Sequence, residues 1–295
     1  MAEEIICVGG INYDLLLSVD RLPKMHEKLR CGPAYQDAGG SAGNTAHWLA
    51  LYGKPVTFVG CVGDDPMGEA CVARFERAGV AVHGIRVVPA STGVAVVLYG
   101  PTDKRMVVAS GANEELTLEQ FRSVAGSNPR HVHLASLDDE RALPILALAR
   151  AQGATTSCEF NGLQSERRVR HCDLCFMNRD ELARWLGSVD PFTAWNRRFK
   201  GVPTTLAVTE GADGASVVAA TEVLRCDTER VEVVDRTGGG DAFNAGFLTG
   251  FLDHRQWRDC LQMGLRLARD VIQRRGARPD AVKPSPEPIP GANGE

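Results

Sequence analysis

The chain has 295 residues, 44% apolar and 24% charged, with a formal net charge of −4. That is an ordinary globular composition, long enough to bury a large core in one α/β domain or two smaller ones. Slight acidity leaves no electrostatic case for binding nucleic acid, and no apolar run approaches the roughly 18 residues of a membrane span. Nine scattered cysteines read as free thiols, and with no signal-peptide pattern ahead of the first apolar run the expected location is the reducing cytoplasm.

Ile5-Ile6-Cys7-Val8-Gly9-Gly10 is an apolar run of the kind that forms a strand buried on both faces, and it ends in glycines. Asn12 and Asp14 stand at its exit, and Asp14 to Val19 reads as a second strand. Residues 20–37 hold Pro23 and Pro33 and show no helical period. Ser41 to Tyr52 reads as a helix stopped by Gly53, residues 56–62 as a buried strand, and Met67 to Ala78 as a helix stopped by Gly79. Between 83 and 110 the pattern predicts strands without helices, at 84–88, 93–99 and 105–109, with Pro101-Thr102-Asp103 as a turn. This run is expected to form an antiparallel flap with residues 14–36.

Strand and helix then alternate again. The pattern predicts helix 117–126, strand 131–135, helix 140–152, strand 154–158, strand 173–177, and helices 179–187 and 192–199. Strands 204–209, 215–219, 222–226 and 231–234 follow, then helix 241–252 and a last helix over 255–274. Such alternation predicts a parallel, doubly wound sheet. Pro284, Pro286, Pro288 and Pro290 mark residues 283–295 as a disordered tail.

Two other features have structural readings. His171-Cys172-Asp173-Leu174-Cys175 lacks the second ligand pair of a zinc site, and Cys175 belongs to an apolar strand. His131 and His133 alternate on a predicted strand and are expected to be structural.

The stretch with the clearest chemical use runs Asp235-Arg236-Thr237-Gly238-Gly239-Gly240-Asp241 and opens the helix carrying Phe243 and Phe247. The first amides of a helix lack intrahelical partners and carry the positive end of its dipole, and glycines let a phosphate approach them. A carboxylate beside those amides can accept the proton of an attacking hydroxyl. A glycine-rich turn with an aspartate cap would use the same residues. There is no G-x-x-x-x-G-K-[ST] loop, and Phe243 breaks a G-x-G-x-x-G reading. A second glycine-rich helix entry, Gly39-Gly40-Ser41-Ala42-Gly43-Asn44, offers another close backbone approach, with Asn44 able both to donate and to accept.

The Asp-x-Thr-Gly-(small)-Gly-Asp stretch closely resembles the C-terminal signature of ribokinase-like (PfkB) carbohydrate kinases. Gly39-Gly40, Asn44, Ala46, Gly53 and Gly63 stand at the spacing of that family's N-terminal signature. Asn12-x-Asp14 resembles its sugar-contacting segment, Asn178-Arg179-Asp180-Glu181 its Asn-x-x-Glu motif, and Thr209-Glu210-Gly211 with Gly214 its nucleotide loop. Gly111-Ala112-Asn113 also matches, so the resemblance runs in order from residue 5 to about 282.

The resemblance implies a three-layer αβα sandwich with a mostly parallel central sheet over residues 1–282, and a small β-sheet lid from about 14–36 and 83–110. It implies ATP-dependent phosphorylation of a sugar-like alcohol, with Asp241 as base and the amides of Gly238, Gly239 and Gly240 as anion hole. Asn12, Asp14, Gly39, Gly40 and Asn44 are then the substrate residues, and Thr209, Gly211 and Gly214 the nucleotide residues. Asn178 and Glu181 would organise Mg2+ through water. Backbone around Asp235 and Thr237, with the loop Gly276-Ala277-Arg278-Pro279, is a candidate potassium site. A homodimer through the lid is a further expectation.

Ser41 stands where ribokinases have a lysine, Ser136 roughly where they have a glutamate, and Arg236 where a small residue is frequent. These departures put ribose itself in doubt. A nucleoside kinase of the same family and a non-catalytic sugar-binding protein are the alternatives. A nicotinamide oxidoreductase is disfavoured by the absent fingerprint.

Overall fold

A computed structural model describes residues 4–285 apart from 33, 100–103, 127, 189 and 220–221. The turn expected at 101–103 and all but the first three residues of the expected tail lie outside the described residues. The strands are β1 (Ile5–Gly9), β2 (Asn12–Ser18), β3 (Ala34–Gly39), β4 (Val56–Gly63), β5 (Ala81–Val88), β6 (Gly93–Tyr99), β7 (Lys104–Ala109), β8 (His131–Ala135), β9 (Thr155–Glu159), β10 (Leu174–Asn178), β11 (Thr205–Thr209), β12 (Ala215–Ala219) and β13 (Glu222–Cys226). The helices are α1 (Ser41–Leu51), α2 (Pro66–Arg77), α3 (Leu118–Val124), α4 (Asp139–Ala151), α5 (Glu166–Val169), α6 (Arg179–Leu186), α7 (Pro191–Arg198), α8 (Gly239–Leu252) and α9 (Trp257–Ile272).

Nine strands form one sheet in the order β13-β12-β11-β10-β9-β8-β1-β4-β5, parallel from β11 to β5 and closed by the antiparallel hairpin β12–β13. The period of two in a strand splits its side chains between two cores. Ile5 and Cys7 of β1 pack with α1, α2, α8 and α9 on one face, while Ile6 and Val8 pack with α3, α4 and the Phe192, Trp195 and Phe199 cluster on the other. This is the expected αβα sandwich.

A second sheet has the order β3-β2-β6-β7. It corrects two expectations. The strand predicted at 84–88 does not join it but runs as β5 along the edge of the large sheet, parallel to β4. Nor is the small sheet wholly antiparallel, because β2 pairs parallel with β6. Residues 231–234 are a third correction, being no strand at all. The Val234 and Asp235 amides both donate to Ile272 O at the end of α9, and Val233 and Val234 are exposed. β-branched residues favour a strand only where a neighbouring strand can receive them.

Eight of the nine cysteines are buried and Cys31 is exposed. No described helix is long and apolar enough to cross a membrane, and no described cluster of three or more His, Cys, Asp or Glu side chains is placed to hold a metal ion. His131 and His133 are fully buried on β8, bonded at 2.8 Å to Thr155 and Ser157 of β9. Burial holds both imidazoles down at about 3, and His47, buried on α1 near Arg278, at about 2. In the unfolded chain they titrate near 6.5, so the unfolded state binds more protons as pH falls and stability drops from that point downward. At pH 5 each neutral histidine costs on the order of 2 kcal/mol by this linkage, before most carboxylates titrate. The urea midpoint should therefore fall clearly between pH 7 and pH 5, and His133→Gln should flatten that slope. A midpoint constant over this range would contradict the assignment.

Candidate active site

The chain order reverses at β1, which lies between β8 and β4. In open α/β sheets the crevice beyond the carboxyl ends of the strands at such a reversal is where ligands bind. The C-terminal ends of β1, β8, β9, β10 and β11 deliver Gly10, Ser136, Glu159, Asn178 and Thr209 to that edge.

The exit of β1 is braced by Asn113, whose Oδ1 accepts from Ile11 N–H (2.8 Å) and whose Nδ2 donates to Asn12 Oδ1 (2.9 Å). This fixes β2, and with it Asp14, against the large sheet. Asp14 lies directly across from Asp37 of β3. A Cβ on Gly39 would collide with both Asp14 carboxylate oxygens, so only glycine leaves that carboxylate room. Like charges opposed on a sheet destabilise it, and Arg74 of α2 answers with Nε 3.3 Å from Asp37 Oδ1.

Two helix N-termini face this crevice without side-chain caps: α1 after Gly40 and α8 after Gly238. Gly238 adopts φ +74, and a Cβ there would fall 2.5 Å from Ala277 Cβ. Gly239 N–H donates to Arg236 O, and Ala242 N–H closes the first helical bond to Gly238 O. The amides of Gly240 and Asp241 are left without protein acceptors among the described residues. The Gly238 amide has no acceptor among the described residues either, so of the expected set Gly238–Gly240 only the Gly239 N–H is spent within the protein.

Asp241 is 7% exposed and accepts from Asn44 Nδ2 at 2.6 Å. Asn44 Oδ1 in turn accepts from Arg278 Nε at 2.7 Å. Each end of the Asn44 amide therefore has one protein partner, which leaves its second N–H and its second oxygen lone pair outside these two bonds. Glu159 completes the group, with Oε1 3.9 Å from where a Cβ would stand on Gly240. Burial, then the Asp241 and Glu181 charges, push the Glu159 carboxyl well above its usual range. Burial also raises Asp241, opposed by the Asn44 bond, Glu159 and the Arg278 charge. Burial thus opposes ionisation of both carboxyls, and Asp241, with a donor and a cation beside it, is the one whose ionised form is favoured.

Asn178 and Glu181 form a capping box at the start of α6: Glu181 N–H donates to Asn178 Oδ1 (2.8 Å) and Asn178 N–H to Glu181 Oε2 (3.3 Å). At the end of β11, Thr209 leads into the turn of Gly211 and Gly214, tied to α6 by the Arg179–Glu210 pair at 2.8 Å. Asp235 joins three segments, accepting at 2.9 Å from the N–H groups of Thr237 and Gly276 and from the Tyr99 hydroxyl of β6. Burial alone would raise its pKa, but these donors hold it below the usual carboxylate value. Arg236 is exposed.

Ser41 and Ser136 are bridged by Asn161: its Nδ2 donates to both hydroxyls at 2.8 Å. The three side chains form a neutral polar wall. Sequence reading missed Glu159, Asn161 and Arg278. Of these only Arg278 had been touched on, as part of the loop after α9.

The sequence matches the family described as pfkB family carbohydrate kinase over residues 2–284. It is 31% identical to an ATP-dependent ribose-1-phosphate kinase of Halopiger xanaduensis over 280 residues, 93% of each chain. It is 25% identical to a ribokinase of Lactococcus lactis over 288 residues, 93% of this chain and 92% of the other. The fold superposes on the structure of Arabidopsis thaliana ribokinase complexed with ribose and ATP with a TM-score of 0.83, at 24% identity, over 94% of this chain and 95% of that one.

Gly39→Ala is expected to displace the Asp14 carboxylate. Bonds to a charged group are worth about 1.5–3 kcal/mol, so KM for the acceptor alcohol should rise at least about tenfold. KM for ATP should stay within about twofold, and Asp14→Ala should reproduce the pattern. Equal changes in both constants would make Asp14 a structural carboxylate.

Proposed function

The chain belongs to the pfkB family of carbohydrate kinases and is an ATP-dependent kinase of a sugar-type alcohol, and we propose that Asp241 is its general base. The observation that carries this reading is a buried, ionisable carboxylate at the mouth of an uncapped helix, beside amides that have no acceptor among the described residues. Asp241 takes the proton of the attacking hydroxyl. The Gly240 and Asp241 amides, at the positive end of the α8 dipole, meet the charge on the transferred phosphoryl group. Asn12, Asp14, Gly39 and Gly40 hold the acceptor so that one hydroxyl faces Asp241.

The nucleotide lies over the ends of β10 and β11, against Thr209, Gly211 and Gly214. Magnesium is the cation this family chemistry calls for, and the side chains suit it. Glu159 Oε2 is a buried carboxylate oxygen without a protein donor among the described residues, and Asn178 ends the next strand with Glu181 in the first turn of α6 behind it. These residues would hold the ion through water, and bound there it would supply charge neutralisation on the ATP phosphates. A potassium ion against the backbone of Asp235 and Thr237 is supported by the hydrogen bond joining that loop to Gly276.

The acceptor is a small sugar or sugar phosphate. The neutral Ser41–Asn161–Ser136 wall and the relative acting on ribose-1-phosphate support testing a phosphorylated pentose beside the free sugar. ADP release with MgATP should be followed across ribose-1-phosphate, ribose, fructose, a keto-deoxy sugar acid and nucleosides, in potassium and in a bulky organic cation. At least one sugar-type acceptor should turn over, faster in potassium, and Asp241→Asn should lose roughly 10²–10⁴-fold in kcat with that acceptor. Near-normal turnover in Asp241→Asn would remove the base assignment.

The small sheet is the lid of this reading and the surface for a second copy. Its edge strand β7 exposes Met106, Val107 and Val108, an apolar edge of the kind that pairs with another chain. Sedimentation at micromolar concentration should give a dimer, and Val107→Lys should shift it towards monomer. A monomer throughout that range would remove this interface.

A further inference from the structure

Asn44 lies between two charges that come from distant parts of the chain. Its Nδ2 donates to Asp241 Oδ2 at 2.6 Å, and its Oδ1 accepts from Arg278 Nε at 2.7 Å. The three side chains are 4%, 7% and 0% exposed, so water does not compete for these bonds. An amide can turn over and exchange its oxygen for its nitrogen, but a guanidinium only donates and an ionised carboxylate only accepts. With Arg278 in place, only one orientation of Asn44 satisfies both neighbours.

We propose that Arg278 is a positioning residue for phosphoryl transfer: it locks the Asn44 amide so that its N–H2 end always faces Asp241. This rests on the reading of Asp241 as the base. Without the lock, Asn44 could present its oxygen to the carboxylate, and Asp241 would lose a donor that favours its ionised form.

The surroundings of Arg278 are built for this placement. Burying a guanidinium is costly unless it is well partnered. Its plane lies 4.9 Å over the Phe75 ring, and Nη2 reaches Gly39 O at 3.4 Å. A Cβ on Gly43 would come within 2.7 Å of Nη2, so the first turn of α1 is kept open for it. Its backbone is held from two helices: Trp48 Nε1 donates to Ala277 O (3.1 Å), and Arg74 Nη2 to Arg278 O (2.5 Å). A purely structural counter-charge for Asp37 is already supplied by Arg74. The charged and titratable groups facing Arg278 are Asp14 of β2, Asp37 of β3, Cys71 and Arg74 of α2 and His47 of α1. Those facing Asp241 are Glu159 of β9, with Glu181 of α6 behind it, and Arg278.

The test is the pH dependence of kcat and kcat/KM with saturating MgATP and the best acceptor, in wild type, Arg278→Met, Arg278→Lys, Asn44→Ala and the double variant Arg278→Met/Asn44→Ala. Arg278→Met should move the acid limb upward by about one pH unit and lower kcat about tenfold, with acceptor KM changed less than about threefold. Arg278→Lys keeps a cation facing Asn44 Oδ1 and should hold the acid limb near its original place. The double variant should be no worse than Asn44→Ala, because the lock has nothing left to hold. An unmoved acid limb in Arg278→Met, or shifts that add fully in the double variant, would overturn the proposal. If Arg278→Met does not fold, the same decision falls to Arg278→Lys against Asn44→Ala: an acid limb displaced equally in both would overturn it, and one displaced only in Asn44→Ala supports it. Failure of the base assignment itself is separate, since it shows as retained turnover in Asp241→Asn.

Discussion

A helix end can receive an anionic ligand only if the chain does not satisfy it first. In this protein α2, α3, α4, α5, α6 and α7 each begin with a side chain that caps the first turn. At α8 the capping position is Gly238 and the first turn holds Gly239 and Gly240, so the amides beside Asp241 remain unspent. The rest of the site follows from that vacancy. A helix with exposed donors and a buried aspartate is poorly satisfied on its own, and neighbouring segments must hold it in place. Asp235 does so by tying the loop before α8 to Gly276 and Tyr99, and Asn44 does so by bonding Asp241 itself.

These supports explain why three distant segments converge. The segment after β3, the entry to α8 and the loop after α9 meet through Asn44, Asp241 and Arg278. Each alone would leave a buried charge or amide unpartnered, and such a group costs more than its bond contributes. The arrangement is therefore cooperative. Glu159 fits the same logic, for it is a second carboxylate close to free amides, and its burial beside Asp241 and Glu181 disfavours its charge.

Much of this was legible in the sequence because it is local. The apolar run of β1 and the glycine-to-helix junction before α8 carry their meaning in neighbouring residues. Two elements were misread for one reason: pairing decides them, and pairing is not local. The half-exposed residues of β5 look the same whether the strand edges a large parallel sheet or a small flap. Val231 to Val234 alternates like a strand, yet its amides turn to the end of α9 and no strand receives it. Asn178-x-x-Glu181 shows that one motif can have two causes. The spacing is that of a capping box, visible from helix chemistry alone, whatever else the two side chains hold. Glu159 and Asn161 gave no signal and Arg278 none as a partner of Asn44, because a single polar residue becomes part of a site only through what the fold brings opposite it.

The small sheet then acquires a physical reason. Phosphoryl transfer to an alcohol competes with transfer to water, and a base that serves one serves the other. The small sheet is braced at one end by Asn113 on Asn12 of β2 and at the other by Tyr99 of β6 on Asp235. Both braces attach the sheet to elements that form the site, the exit of β1 and the entry to α8. Movement of the sheet is therefore coupled to the position of Asp14 and to the loop that presents the free amides. With the small sheet read as a lid and Asp14 as the proposed acceptor-binding group, cover and binding group belong to one element, and closure and acceptor binding would draw on one set of contacts.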